Sequence, residues 1–548
     1  MKLLNATLVT LLITTTSIFA QAPTAVLTDE LTPIYPDQFP DGSAAFTSHA
    51  PRACTTAVHL VINNLTADAD LSFTANALLS TQFYNLIAVP VEVNSGVSSR
   101  TETFDKKINP DVIRRAPFNI YEVLEPFDKT IKATAKQMAF ALHCTIPANA
   151  SVGNHQIKIE VKQNNKTIAT LTWNLKIAKI AIPPIGRDSM GYTNWLSFGN
   201  IAKYHNCQKW TEDYWTMLDK YLTILAANRQ NMLFIPLSDM FEKNSNGQWL
   251  LNEDRFTRLI KLCDKHHIYW LEGTQLGGRP NGDWSSKNIE LRFNKSLTPT
   301  DAAKTEVKQI CGQLYAALEK NNCTSRWIQH LSDEPTDTMA DGYTWLAKEV
   351  KAAMPKVKIF EATMSQKLTG AIDIWCPTVN KYQANQEFFD ARKTAGDQVW
   401  VYTCLTPTGP WLNRLLDMEK LRPVYIGWGI AKYNLDGFLH WGGNFWSVNP
   451  YKQSVIKHPA VRDKDTNNEL PAGDTHILYP KDKNIYASIR LRSHTIGCED
   501  YELLQMAQKR NPQATQKIIE KVFRAFNDYE KQVSLYRQTR SELINLLD

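Results

Sequence analysis

The chain has 548 residues, of which 43% are hydrophobic and 21% charged, and its formal net charge at pH 7 is +6. One hydrophobic core seldom supports this length, so we expect two or three domains. The positive charges are dispersed and form no basic block, which argues against a nucleic-acid or anionic-membrane partner. The composition carries no signal of an oligomeric state.

Residues 1–20 have the layout of a cleaved signal peptide. Lys2 precedes an apolar run rich in threonine, and small residues follow near Ala20 and Ala22. The run is too short and too polar for a permanent membrane span. We therefore expect a protein exported from a bacterial cell, to the periplasm or the outside, with no integral membrane span.

Residues 23–182 contain strand-length runs, such as AVHLVINN and HQIKIEVKQNN, that are separated by turn residues and show almost no helical periodicity. Several short strands in succession are typical of two packed sheets. We predict an N-terminal β-sandwich domain, which ends at a linker near Pro183 and Pro184.

Residues 185–455 show a different pattern, in which strand-like runs alternate with amphipathic helices. One helix is predicted to begin at Thr298 with Pro299 as its first residue. Eight strand-then-helix repeats are typical of a (β/α)₈ TIM-like barrel, so the fold class is α/β. The predicted strands lie near SMGYTN, MLFIPLS, YWLEGTQ, WIQHLSD, KIFEATM, IDIWCP, VWVYTCL and GFLHWGG.

Residues 456–548 form a C-terminal extension, for which we predict a hairpin around ILYPKDKNIYASIRL and helices packed on the barrel. The nine cysteines are scattered along the chain, and several lie in apolar helical patterns typical of buried thiols. A bridge between Cys54 and Cys144 is conceivable in an oxidising compartment. No CxxC or HExxH motif is present, so we expect no metal site, and nothing in the sequence points to a cofactor.

The segment HLSDEPTD places Asp333 and Glu334 at the end of the predicted fourth strand, and Pro335 follows them. Active sites of such barrels lie at the carboxyl ends of the strands. Cleavage of a glycosidic bond requires a proton donor for the leaving oxygen and a group that stabilises the developing cation. An acidic pair at the barrel mouth can supply both, so we predict that these two residues are catalytic.

A second carboxylate on strand seven, the usual nucleophile of a retaining barrel glycosidase, is missing. The segment QVWVYTCLTPTGPW contains no Asp or Glu after Asp397. Glu361 on strand five is the nearest alternative nucleophile, or else a carboxylate that holds a neighbouring cation or amide. The absence favours a mechanism in which the substrate supplies its own nucleophile.

Aromatic residues near the later strand ends could stack on the apolar C–H faces of a sugar. With 15 tryptophans in the chain, however, most must serve in packing. His330 fits a wall residue better than a base, and Asn194 could bind a sugar hydroxyl or form a turn. The predicted substrate-binding residues are Tyr402, Trp441, Trp446, Trp375, His330, Asn194 and Glu361.

Four motifs in this order, LSDEP, GFLHWGGNFW, GDTHILYP and GCEDYELL, resemble the catalytic domain of glycoside hydrolase family 123. The resemblance covers about residues 185–510, with departures at Lys481 and Cys498. It implies an exo-acting β-N-acetylgalactosaminidase that acts on a glycan with a terminal 2-acetamido sugar. It further implies that Asp333 orients the acetamido group, while Glu334 is the general acid and base.

Two alternatives remain at this point. One is an exo-glycosidase for another sugar on the same scaffold, because the groups around the C4 hydroxyl cannot be located in the sequence. The other is a carbohydrate-binding protein without turnover. Retention of both Asp333 and Glu334 argues against the second alternative, because a pure binding protein does not need a proton donor.

Overall fold

The structure is a computed structural model that describes residues 21–459 and 467–548. The predicted signal peptide, residues 1–20, lies outside the described residues. In the described part of the chain, no helix is long and apolar enough to cross a membrane. All nine cysteines are free thiols there, and seven of them are buried.

Ten strands and one short helix make up the N-terminal part. Five of these strands form one sheet in the order β2-β10-β9-β4-β7, and the others belong to a second sheet. Alternate residues of β9 are buried, and residues of both sheets share one hydrophobic core. The elements are β1 (Thr24–Asp29), β2 (Ala45–Arg52), β3 (Cys54–Asn63), β4 (Asp70–Asn76), β5 (Ser80–Val91), α1 (Glu102–Asp105), β6 (Phe118–Phe127), β7 (Thr130–Lys132), β8 (Met138–Ile146), β9 (Gly153–Gln163) and β10 (Lys166–Ala181).

Strands and helices then alternate up to residue 440. Three single turns of 3₁₀-helix interrupt the connecting loops, at Pro280–Gly282, Asp337–Met339 and Gln366–Leu368. The elements are β11 (Gly191–Asn194), α2 (Phe198–Tyr204), α3 (Glu212–Ala227), β12 (Met232–Ile235), α4 (Leu237–Met240), β13 (Phe241–Lys243), β14 (Trp249–Leu251), α5 (Glu253–Lys265), β15 (Trp270–Gly273), β16 (Gly277–Gly278), β17 (Glu290–Leu291), α6 (Asp301–Lys320), β18 (Trp327–Gln329), α7 (Ala340–Ala353), β19 (Lys358–Glu361), β20 (Ile374–Trp375), α8 (Val379–Ala384), α9 (Gln386–Thr394), β21 (Gln398–Thr403), α10 (Leu421–Lys432) and β22 (Gly437–His440).

Eight of these strands form a nearly closed parallel barrel, in the order β11-β22-β21-β20-β19-β18-β15-β12. Each coincides with one of the eight segments predicted as a barrel strand, although β21 begins one residue earlier, at Gln398. The seam between β11 and β12 is bridged by Asn231, whose N–H donates to the Tyr192 carbonyl at 3.3 Å and whose Oδ1 accepts from the Tyr192 N–H at 2.9 Å. The predicted TIM-like barrel is thus confirmed.

α6 was expected to begin at Thr298 but begins at Asp301. Thr300 is the N-cap, since its hydroxyl accepts a hydrogen bond from the Ala303 N–H at 3.1 Å. The Thr298 hydroxyl is engaged elsewhere, because it accepts from the Ile289 N–H at 3.0 Å. The preceding loop therefore moves the start of the helix along the chain.

The remaining elements include the predicted hairpin. The hairpin contacts both the barrel and the N-terminal sheet: Lys220 of α3 donates to the Lys483 carbonyl at 2.7 Å, and β26 pairs with β6, so that Ala487 lies opposite Leu124. Edge strands leave backbone groups unpaired, and this pairing completes a seven-stranded sheet in the order β1-β3-β8-β5-β6-β26-β25. The elements are β23 (Ile456–Lys457), β24 (Glu469–Leu470), β25 (Leu478–Lys481), β26 (Asn484–Ser488), α11 (Ile489–Arg510), α12 (Pro512–Val522), β27 (Phe523–Ala525), β28 (Asp528–Tyr529) and α13 (Val533–Leu547).

α11 serves as the eighth helix of the barrel, because it is the next helix after β22 and packs against α10. Gly427 and Gly497 lie at the crossing, where a Cβ on Gly427 would overlap the Gly497 carbonyl. The Trp428 indole also donates to Asp500 at 2.8 Å. The barrel therefore continues past residue 455, where we had placed its end. The other predicted domain boundaries stay predictions.

Candidate active site

Asp333 and Glu334 follow the carboxyl end of β18, as the sequence predicted. Glu334 adopts a left-handed backbone conformation with φ of 42°, which is uncommon for a residue with a side chain. Arg279, from the loop after β15, donates to the Asp333 carbonyl at 2.8 Å and to the Glu334 carbonyl at 2.6 Å. The sharp bend and this bidentate contact hold the dipeptide at the mouth of the barrel.

The Asp333 carboxylate is open to the cleft. The Asp333 side chain is exposed to solvent. Among the described residues, none donates a hydrogen bond to its carboxylate oxygens. The surrounding protein nevertheless raises its pKa by desolvation, and Glu361 adds to the rise, while Arg279 opposes it. An accessible carboxylate with a raised pKa is expected for a group on the wall of a narrow cleft.

Glu334 is held by a side chain from β21, which is separated from β18 by two strands of the barrel. The Tyr402 hydroxyl at the end of β21 donates to Glu334 Oε1 at 2.5 Å. Burial raises the pKa of Glu334 and the neighbouring Asp333 raises it further, whereas the hydrogen bond from Tyr402 lowers it. The second carboxylate oxygen stays available to a ligand, so Glu334 can exist as a neutral proton donor beside an ionised Asp333.

A buried charge network lies beneath the pair. His330 contacts Glu272 through Nε2 at 2.7 Å and Glu361 through Nδ1 at 3.1 Å. Burial by itself lowers the pKa of His330, but the two carboxylates outweigh it and raise this pKa to about 10. His330 is therefore an imidazolium ion and does not act as a base at neutral pH.

Glu361 lies beneath the segment that carries Asp333 and Glu334 and holds it in place. Its Oε2 accepts hydrogen bonds from the Leu331 N–H at 3.0 Å, the Ser332 N–H at 3.2 Å and the Tyr343 hydroxyl at 2.9 Å. Both its oxygens are thus engaged, and the side chain is fully buried. Of the two roles considered for Glu361, a nucleophile or a carboxylate that holds its neighbours, the geometry fits the second.

Of the predicted aromatic residues, Tyr402 contacts Glu334, and Trp441 lies at the end of the neighbouring barrel strand. Trp441 follows β22, is partly exposed and packs against Phe445 at 5.4 Å between ring centroids. Asp474 lies nearby and is completely buried. Desolvation raises the pKa of Asp474 to about 7, against the influence of Arg414 and of the Trp441 indole. Asp474 belongs to the motif GDTHILYP, but the sequence did not reveal its place beside the site.

Three predicted substrate-binding residues are buried away from the cleft, and their polar atoms are already paired. Trp375 packs against α9 and donates to Asp397 at 2.9 Å, because its two neighbours in the chain, Ile374 and Cys376, face the barrel interior. Trp446 donates to the Leu478 carbonyl at 3.0 Å. Asn194 bonds Gln230 at 3.0 Å and accepts from Arg414. The predicted sugar contacts of Trp375, Trp446 and Asn194 are therefore wrong. The two tryptophans pack in the protein interior, and Asn194 takes part in a buried hydrogen-bond network.

The loop after β15 contributes residues that the sequence did not single out. Arg279 and Arg292 both favour the charged form of Asp333, and each of them lowers the pKa of that carboxyl group. Little in the sequence indicated either residue. Arg279 lies in the segment GGRP shortly after a predicted strand, and Arg292 lies further along the same loop. In the described part of the chain, no group of three or more His, Cys, Asp or Glu side chains could hold a metal ion.

The arrangement suits acid-assisted cleavage of a glycosidic bond, since it combines two adjacent carboxyl groups with a tyrosine and a tryptophan at a barrel mouth. The fold and the site define a glycoside hydrolase. The sequence agrees, because residues 195–507, more than half of the chain, match the family model described as glycoside hydrolase 123, catalytic domain. The chain belongs to glycoside hydrolase family 123.

Solved structures of other glycosidases are similar to this one. A family 123 glycoside hydrolase from Clostridium perfringens superimposes with a TM-score of 0.69 at 14% sequence identity, covering 96% of this chain and 97% of that one. A GH5 xyloglucanase from Bacteroides ovatus gives a TM-score of 0.31 at 9% identity, covering 87% of this chain and 100% of that one. A GH5 enzyme from Prevotella bryantii gives 0.32 at 10% identity, covering 52% and 86%. No curated protein matches the sequence.

Proposed function

We propose that the protein is an exo-acting β-N-acetylgalactosaminidase that uses the acetamido group of its substrate as the nucleophile. The proposal rests on one observation: among the described residues, no carboxylate is placed to act as the nucleophile at the positions considered, Glu361 and the end of β21. Glu361, the nearest alternative nucleophile, has both oxygens engaged by protein donors. β21 ends in Tyr402 and Thr403, where a retaining enzyme with a protein nucleophile would carry a carboxylate.

In this mechanism Asp333 accepts a hydrogen bond from the acetamido N–H. The acetamido oxygen attacks the anomeric carbon as the bond to the leaving oxygen breaks, and the amide nitrogen becomes positively charged. The ionised Asp333 stabilises that charge and holds the group in its attacking geometry. The accessible and unpaired carboxylate of Asp333 supports this role.

Glu334 acts twice. It first donates its proton to the leaving oxygen, which gives the free aglycone and an oxazolinium ion whose N–H stays hydrogen-bonded to Asp333. It then accepts a proton from the water that opens the oxazolinium ring, and the sugar is released with retained configuration. The raised pKa of Glu334 supports the first step, because it keeps the carboxyl group protonated at higher pH.

The substrate we propose is a glycan with a terminal β-linked N-acetylgalactosamine. The family 123 enzyme from Clostridium perfringens hydrolyses glycolipid glycans, and glycans of this kind are the first candidates here. We also propose that residues 1–20 direct export to the periplasm or the outside, and that residues 23–182 form a β-sandwich domain beside the barrel. The partly exposed Trp441 would stack on the terminal sugar.

The test compares the purified protein on aryl β-glycosides of N-acetylgalactosamine, N-acetylglucosamine and galactose. We expect turnover of the first, weak turnover of the galactoside, and inhibition by a thiazoline mimic of the oxazoline. Preference for N-acetylglucosamine would support another exo-glycosidase on the same scaffold. Binding without turnover of any of the three would support a carbohydrate-binding protein. Robust galactoside hydrolysis, or a sugar trapped covalently on Glu361, would refute the substrate-assisted mechanism.

A further inference from the structure

The loop between β15 and α6 lies against the catalytic dipeptide. It contains the short strands β16 and β17, which pair with each other. Arg279, which follows β16, holds the carbonyl groups of both Asp333 and Glu334. A side chain that contacts Arg279 is therefore only one contact away from the dipeptide.

Trp284 is such a side chain, and it is unusually open to solvent. Its relative exposure is 58%, and it is the only aromatic residue among the exposed large hydrophobic residues of the described ranges. The Arg279 guanidinium lies 3.6 Å from the centroid of a Trp284 ring, a cation–π arrangement that covers one face of the indole. The ring is thus oriented by Arg279 but still has surface available to a ligand.

We infer that Trp284 forms a platform for the sugar on the leaving side of the scissile bond, an inference that rests on the proposed function. Glu334 must reach the leaving oxygen, so the sugar that carries this oxygen has to lie beside Glu334. In the proposed function the terminal sugar lies near Tyr402 on β21 and Trp441, which follows β22. The loop that carries Trp284 comes from β15, on a different part of the rim and directly beside β18.

The indole of Trp284 should bind a leaving group that contains a sugar ring. An indole face binds the apolar C–H face of a hexose in the way that aromatic rings pack on other apolar surfaces. A small or ionic leaving group presents no such face. The protein should therefore favour a terminal sugar linked to another sugar over the same sugar linked to a group without a ring.

The experiment uses the full-length protein and two substrates that share the terminal sugar. One is a β-linked disaccharide of N-acetylgalactosamine on galactose, and the other is β-N-acetylgalactosaminyl fluoride, whose leaving group has no ring. We expect Trp284→Ala to lower kcat/KM for the disaccharide by about 10-fold, and to change that for the fluoride by less than about 2-fold. Trp284→Phe should restore most of the loss.

Leu297→Ala is the matched control, because Leu297 is an exposed hydrophobic residue on the same loop with a relative exposure of 41%. It should leave both substrates unchanged. The thiazoline inhibitor, which occupies only the terminal-sugar position, should bind Trp284→Ala as it binds the wild type. Equal losses on both substrates, or no loss on the disaccharide, would overturn the inference alone. Failure of the wild type to cleave either substrate or to bind the thiazoline would overturn the proposed function, and this inference with it.

Discussion

Replacement of Tyr402 by Phe should move the alkaline limb of the pH profile to higher pH. The Tyr402 hydroxyl donates to Glu334 Oε1 at 2.5 Å and thereby lowers the pKa of Glu334. In the proposed mechanism, activity requires the protonated form of Glu334, so activity is lost as the pH rises through this pKa. Removal of the donor raises the pKa, and the protein stays active up to a higher pH.

The size of the shift follows from the two protonation states. A hydrogen bond to a charged group contributes about 1.5–3 kcal/mol, and one to a neutral group about 0.5–1.5 kcal/mol. The difference of about 1–1.5 kcal/mol corresponds to roughly one pKa unit. We therefore expect the alkaline limb of kcat/KM to move up by about one pH unit.

The assay is the pH dependence of kcat/KM on the β-linked disaccharide of N-acetylgalactosamine on galactose, whose leaving oxygen needs the proton of Glu334, measured for the wild type and Tyr402→Phe. Tyr343→Phe is the matched control, because the Tyr343 hydroxyl donates to Glu361 at 2.9 Å and not to Glu334. Its alkaline limb should stay near that of the wild type, while its unfolding temperature falls. An alkaline limb that stays in place or moves down in Tyr402→Phe would refute the reasoning.

Three further predictions concern the same site. Glu334→Gln should lower kcat/KM by about 10²–10⁴-fold on substrates with poor leaving groups and much less on activated aryl glycosides, and equal losses would show that Glu334 is not simply the acid. Asp333→Asn should lower kcat by about 10²-fold or more with a smaller change in KM, which steady-state kinetics with and without an acetamido group on the substrate will check. The pKa of His330, about 10 in the folded protein, exceeds its unfolded value of 6.5, so its stabilisation is fully present below pH 6.5 and is lost as the pH rises through 10. Urea unfolding at pH 7 and pH 10 should show a fall of about 3–5 kcal/mol that is largely absent in His330→Gln.

The local patterns of the sequence determined much of the barrel and the place of the acidic pair, Asp333 and Glu334, in it. Strand and helix periodicities depend on neighbours a few residues apart, so all eight barrel strands could be located. The position of Asp333 and Glu334 at a strand end followed from the same local information. The family motifs then pointed to the glycosidase class that the family match supports.

The pairing of distant side chains was decided only by the tertiary structure. Glu334 meets Tyr402, and His330 meets Glu272 and Glu361, because the closed barrel brings the ends of separate strands together. No local pattern encodes such a contact.

The orientation of individual side chains was also decided only by the tertiary structure. β20 has only two residues, so its alternation is too short to be recognised in the sequence, and Trp375 was expected in the cleft when it faces α9. Arg279 and Trp284 were missed for a related reason. Their loop has no periodicity, and its position against Asp333 and Glu334 arises from hydrogen bonds to backbone carbonyl groups, which every residue possesses.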